Sequence, residues 1–141
     1  MTDTGTTLYR TRIACSPERL WAELTATGVP RPWMWDSVLS GPLTEGSGYA
    51  MARDGEELVT GTVLAAAPPA RLVLSFNPLW NDRVAAETPG VLDYALEQAG
   101  DGCLLTVRIS GLYGASAVSV DHDTPGIYAG LKAMLESTRV A

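Results

Sequence analysis

The chain has 141 residues, a length that fits one domain with a core and room for one pocket. Apolar residues make up 46% and charged residues 18%, which excludes a disordered chain. A formal charge of -6, with only ten scattered Lys and Arg, gives no attraction to phosphate backbones or anionic lipid, so nucleic acid is set aside as a partner.

The Thr-rich start through Thr7 reads as a frayed tail, residues 1–7. Leu8 to Ala14 then alternates, with Tyr9, Thr11 and Ile13 on one side, the period of a half-buried strand. Ser16 caps a helix that begins Pro17-Glu18-Arg19, presents Leu20, Trp21 and Leu24, and stops at Gly28, Pro30 and Pro32. Trp33, Met34 and Trp35 follow. Tyr49–Arg53 and Glu56–Ala66 form a hairpin around Asp54-Gly55, which supplies the positive backbone angles of a type I′ turn. After a break at Pro68-Pro69, Arg71 to Phe76 alternates with Leu72, Leu74 and Phe76 inward. Asn77 to Pro89 lacks a period and reads as a long excursion, a candidate lid. A second hairpin turns at Gly100-Asp101-Gly102, with Leu92, Tyr94 and Leu96 facing the same way as Cys103, Leu105, Val107 and Ile109. From Gly126 the period becomes helical, with Ile127, Leu131, Met134, Leu135 and Thr138 on one face and Lys132, Glu136 and Arg139 on the other.

A strand and a helix, then a run of strands, then one amphipathic helix describe an α+β domain spanning 1–141. Its antiparallel sheet is the only large partner for the last helix, and the space between them suits a small molecule. No stretch approaches the roughly 18 apolar residues of a membrane span, and no leader-like run opens the chain, so no membrane association and a cytoplasmic location are expected. Cys15 and Cys103 have neither metal-ligand spacing nor a disulfide framework and read as reduced thiols in or near the core.

Three runs in order carry a family resemblance: Cys15-Ser16-Pro17-Glu18-Arg19-Leu20-Trp21, then Gly61-Thr62-Val63 leading to Pro68-Pro69-Ala70-Arg71-Leu72, then Gly130-Leu131-Lys132-Ala133-Met134-Leu135-Glu136. Together they resemble the SRPBCC (START-like) superfamily, in particular members similar to the C-terminal domain of the activator of Hsp90 ATPase. The resemblance implies a helix-grip fold: a curved antiparallel sheet wrapped around a long C-terminal helix, two short helices after the first strand, and a hydrophobic cavity between. It also implies diverse uses, among them lipid carriage, polyketide cyclisation, hormone reception and self-resistance. Relatives often carry Gly-Trp at the start of the last helix where this chain has Gly126-Ile127-Tyr128, which implies a different cavity shape.

The aromatic residues Trp33, Trp35, Trp80, Tyr113 and Tyr128 fall in or beside loops and helix ends, where they either plug the mouth of the grip or line it. Leu74, Phe76, Tyr94 and Val107 on the inward sheet face, and Leu131 and Met134 on the helix, complete the candidate cavity residues. His122 stands between Asp121 and Asp123 without spaced partners and reads as part of a solvated turn, with Asp123 or Thr124 capping the last helix ahead of Pro125. No nucleophile comes with a base, no carboxylates converge, and no metal or cofactor is expected. The leading reading is a non-catalytic binder of a small hydrophobic ligand. A polyketide cyclase or dehydratase using Tyr94, Tyr113 or Asp93 is the enzymatic alternative, and an Hsp90-related interaction module the third; a homodimer is compatible with each.

Overall fold

The computed structural model describes residues 5–80, 90–112 and 114–137. Eight strands, β1 (Gly5–Ile13), β2 (Pro30–Arg31), β3 (Ser37–Ser40), β4 (Gly48–Arg53), β5 (Glu56–Ala67), β6 (Arg71–Pro78), β7 (Gly90–Ala99) and β8 (Gly102–Leu112), form one antiparallel sheet in the order β1-β8-β7-β6-β5-β4-β3-β2. Helix α1 (Pro17–Leu24) follows β1, a three-residue 3-10 turn (Pro32–Met34) follows β2, and the 24-residue helix α2 (Gly114–Ser137) lies across the concave side. This is the helix-grip α+β fold, with one of its two short helices reduced to a single turn.

The local chemistry accounts for the elements. The Ser16 hydroxyl accepts the Arg19 amide at 3.1 Å and Pro17 occupies the first turn, where its missing donor costs nothing. Asp54 and Gly55 take φ of 53° and 79°, the left-handed pair a type I′ hairpin needs. The inward sets Leu72, Leu74 and Phe76, Leu92, Tyr94 and Leu96, and Cys103, Leu105, Val107 and Ile109 are all buried together.

Three boundaries differ from the sequence reading. Strand β1 starts at Gly5, so Thr6 and Thr7 belong to the sheet and not to a tail; the β1–β8 register reaches back to Gly5 opposite Leu112. Strand β6 runs through Asn77 and Pro78, while most of the candidate lid, residues 81–89, lies outside the described residues, as does Thr138. The largest correction is α2, which begins twelve residues before Gly126 and carries Pro125 in its interior. Asp123 and Thr124 are therefore mid-helix residues and not caps. His122 lies on the helix's exposed side, in helix and not in a turn, and places Nδ1 3.0 Å from Asp123 Oδ1. A proline inside a helix costs roughly 3 kcal/mol, and the buried row Ser116, Val120, Thr124, Tyr128, Leu131 and Leu135 is what holds α2 together through it.

Helix α2 also seals the β1 edge. Thr7 Oγ1 donates to Asp121 Oδ1 at 3.3 Å, Lys132 Nζ to the Arg12 carbonyl at 2.6 Å, and the Ala14 amide to Glu136 Oε2 at 3.0 Å. From Thr7 to Ala14 the strand rises about 23 Å, and from Asp121 to Glu136 the helix rises about 23 Å, so the two run side by side in the same direction. Deeper in, the Tyr94 hydroxyl on β7 and the Tyr128 hydroxyl on α2 are 2.6 Å apart and fully buried, tying helix to sheet. Tyr49 on β4 reaches across β5 to donate to the Ser75 carbonyl on β6 at 2.7 Å, passing over Gly61, where a Cβ would strike that carbonyl and stand 2.7 Å from Tyr49 Cε1.

Two predictions follow from this packing. Gly61→Ala should destabilise the protein by about 2 kcal/mol or more, whereas Gly126→Ala, in helix with open space at the Cβ position, should stabilise it by about 0.5–1 kcal/mol; urea midpoints of the two variants check the opposite signs. Burial pushes the Tyr49, Tyr94 and Tyr128 phenols above the ordinary value of 10.0. Below that value folded and unfolded chains both hold the protons, and above it only the fold retains them, so stability is fully present below about pH 10 and falls as pH rises further. Tyr128→Phe should lessen that alkaline loss by up to about 1.4 kcal/mol per pH unit, read from urea midpoints between about pH 9 and 11.

Candidate functional site

The space under α2 is small. At the wide end of the grip a cavity of about 30 Å³ is walled by Met34 and Trp35 after the 3-10 turn, by Met51, Val59, Phe76, Leu92 and Ile109 from β4 through β8, and by Val120, Asp123, Thr124, Ile127 and Tyr128 of α2. That is room for about two water molecules and well short of the roughly 150 Å³ that a benzene-sized guest occupies. Side chains fill most of the hollow that the fold family leads one to expect. Trp35, Trp80 and Asp123 also wall an outer groove of about 270 Å³ whose other walls are Arg53 and Leu58.

Aromatic rings frame the opening. Trp35 is 37% exposed and meets Trp80 edge-on at 6.0 Å between ring centres, and Trp80 meets Phe76 edge-on at 6.4 Å. Trp35 adopts a left-handed φ of 55° as the chain leaves the 3-10 turn, and Arg53 Nη1 donates to its carbonyl at 3.4 Å. The lining is apolar except for Asp123 and Thr124, and the Thr124 hydroxyl is spent on the Val120 carbonyl at 2.6 Å.

Of the candidate residues, Trp35, Phe76, Trp80 and Tyr128 come together at this cavity. Trp33, Leu74, Tyr94, Val107 and Leu131 are buried in the core away from it, Met134 packs half-buried against that core, and Tyr113 lies outside the described residues. Asp93, the carboxylate of the enzymatic alternative, points to the outer sheet face, where Arg71 holds it through Nε at 3.2 Å and Nη2 at 2.7 Å. Val120, Asp123 and Thr124 escaped the sequence reading because α2 was started too late. Met51 follows from the alternation Tyr49, Met51 in β4, and Met34 sits between two tryptophans already singled out.

A polar cluster behind the cavity was not foreseen at all. Arg31, on the two-residue strand β2, is 1% exposed; Nη1 donates to the Leu24 carbonyl at 3.4 Å, and Cζ lies 4.9 Å from the centre of the Trp33 ring. Its Nε and Nη2 have no hydrogen-bond partner among the described residues, and neither does the buried Ser37 hydroxyl. Burial pulls the guanidinium below its ordinary value, opposed by the nearby Tyr94 and Tyr128 hydroxyls, Glu23 and Tyr49. Glu23 is engaged by the Trp33 indole, whose Nε1 donates to Oε2 at 3.0 Å. Cys15 and Cys103 form no disulfide, and burial pushes the Cys103 thiol up, away from reactivity. Among the described residues no three His, Cys, Asp or Glu side chains converge to hold a metal ion, and no helix is long and apolar enough to cross a membrane.

The comparisons with known proteins agree with this architecture. The family model described as activator of Hsp90 ATPase homolog 1-like protein matches residues 14–137. Among solved structures, the fold is similar to MLL2253 from Mesorhizobium loti (TM-score 0.78, 19% identity, 96% of this chain and 100% of that one). It is also similar to CalU16 from Micromonospora echinospora (0.73, 21%, 98% and 87%). A third similar structure is the Aha1 dimer from Colwellia psychrerythraea (0.74, 17%, 94% and 96%). None of the curated proteins matches. With the grip topology and a family match running from the end of β1 to the end of α2, the chain belongs to the activator of Hsp90 ATPase homolog 1-like family of the SRPBCC superfamily.

Proposed function

We propose that this protein binds a small, largely apolar molecule at the wide end of the grip, its body against Trp35 and Trp80 and its tip in the space under α2. One observation carries the reading: the inner cavity and the outer groove share Trp35, Trp80 and Asp123, so a single guest passing between the indoles would contact both. An aromatic-framed entrance with an apolar lining and few polar groups is the usual make-up of a small-molecule site. The inner part must widen to admit a ring. Met34 and Met51 in its wall are unbranched and repack at low cost, and Trp35 is already partly in solvent. Arg53 and Asp123 at the rim are the polar groups placed to orient a guest.

The test uses a neutral fluorescent probe, N-phenyl-1-naphthylamine, titrated into the native protein. A saturable rise in emission with Kd on the order of 10 μM is expected. Trp35→Ala and Trp80→Ala should each weaken it about tenfold, the loss of about 1.4 kcal/mol of ring contact. Leu64→Ser, at an exposed apolar residue away from the site, should leave it unchanged. No saturable signal from the folded wild type, or equal affinity in all three variants, would overturn the reading.

A further inference from the structure

Arg31 and Ser37 are register partners on β2 and β3, so their side chains stand on the same face within about 5.5 Å at Cβ. Both are buried, and both carry donors without partners among the described residues. Two orphaned polar groups at one rung of a sheet form a built arrangement, unlike the scattered unsatisfied atoms found at protein surfaces. The unpartnered guanidinium atoms are Nε and Nη2. On the outer face of this same molecule Arg71 uses that pair of nitrogens to take both oxygens of Asp93, so the chain holds its own example of what the fork accepts.

A third donor lies close by. The Tyr94 and Tyr128 hydroxyls share one hydrogen in their mutual bond, which leaves the hydrogen of the accepting hydroxyl to donate elsewhere. Tyr128 lines the cavity, its ring centre is 6.0 Å from that of Trp33, and Trp33 carries Arg31 4.9 Å from its ring centre, so two aromatic contacts lead from the cavity wall to the guanidinium. The phenols remain neutral at physiological pH because burial raises them, and Glu23 is already engaged by the Trp33 indole. The interior therefore holds a cation whose fork is hydrogen-bonded to no carboxylate among the described residues, Glu23 acting on it only through its charge.

We infer that Arg31, with Ser37 and the Tyr94–Tyr128 hydroxyl pair, recognises the carboxylate of an otherwise apolar acid whose body occupies the cavity and groove. The inference rests on the ligand-binding reading above and narrows it to a class: a carboxylate matches the two parallel donors of the fork, and an apolar body matches the walls. The guest enters past Trp35 and Trp80 acid-end first and passes beside Tyr128, which stays paired with Tyr94, to meet the guanidinium at the blind end. The Trp33 ring against the guanidinium provides part of the solvation that the cation has in the meantime.

Competition against N-phenyl-1-naphthylamine separates this from the broader reading. 2-Naphthoate should displace the probe at least tenfold more effectively than 2-naphthamide, its neutral isostere. Arg31→Met should abolish that preference, read as the ratio of the acid's to the amide's competition constant in the same variant. Should Arg31→Met fail to fold, Arg31→Lys, which keeps the charge and loses the fork, should cut the preference at least threefold. Equal competition by acid and amide in the wild type, with the probe binding normally, overturns the carboxylate assignment and leaves the pocket reading intact. A preference that survives both substitutions overturns the role of Arg31, and failure of the probe itself overturns both readings.

Discussion

The structure depends on α2 lying flat against the sheet along its whole length. An eight-strand antiparallel sheet that curls this far exposes a concave apolar face on β4 through β8, and a single helix must cover it. Three hydrogen bonds to β1 hold the helix parallel to that edge strand, and the Tyr94–Tyr128 pair pins its middle to β7. The edge bonds do two things at once: they fix the axis of α2, and one of them occupies a backbone carbonyl of the edge strand, that of Arg12. The surface ion pairs contribute much less, since pairs such as Arg12–Asp101 are largely in water. The same docking explains why a helix survives Pro125. The roughly 3 kcal/mol lost at the proline is smaller than what burial of Val120, Leu131 and Leu135 returns, about 1.5 kcal/mol or more per large apolar side chain.

Much of this was legible in the residues. Period-two alternation marked β6, β7 and β8 with their inward sets, the Asp54-Gly55 and Gly100-Asp101 turns marked two hairpins, and Ser16-Pro17 marked α1. The front half of α2 was not, because Ala115 to Thr124 is rich in Ser, Thr and Val, which lower helix propensity, and ends at a proline that normally stops a helix. What makes it helical is tertiary: every fourth residue from Ser116 to Tyr128 finds the sheet. The size of the cavity was equally beyond the sequence. A set of inward apolar residues specifies that a core exists; whether Met34, Met51 and Ile127 close the hollow or leave it open depends on rotamers and on the curl of the sheet.

Arg31 was hidden for a different reason. In Pro30-Arg31-Pro32 an arginine between prolines reads as solvated loop, and nothing local indicates that two residues of extended chain add an eighth strand at the inner end of the sheet. Burial there comes from Trp33 folding back on it and from the rung with Ser37, both non-local consequences of the chain reversing after the 3-10 turn. The contrast with Arg71 is instructive. Both arginines sit on strands, and one meets a carboxylate across a neighbouring rung while the other is enclosed among phenols and an indole. The difference is which side of the sheet each faces.

An enclosed guanidinium with no carboxylate hydrogen-bonded to it is costly, even with Glu23 nearby: the effective penalty for taking an ion out of water is several kcal/mol after relaxation. Methionine would fill similar space at that position without the penalty, and on the carboxylate assignment proposed above it is the guest that the arginine's charge acts on. The surrounding phenols support this. Burial holds Tyr49, Tyr94 and Tyr128 neutral, so they soften the cation's field through their dipoles without neutralising it. On the reading proposed above the tasks are separate: the indoles and methionines beside the cavity accept apolar shape with little discrimination, and the Arg31 donors discriminate by charge and geometry. On that proposal affinity comes from the outer half of the path and selectivity from the inner half, a division that does not require a large preformed hollow.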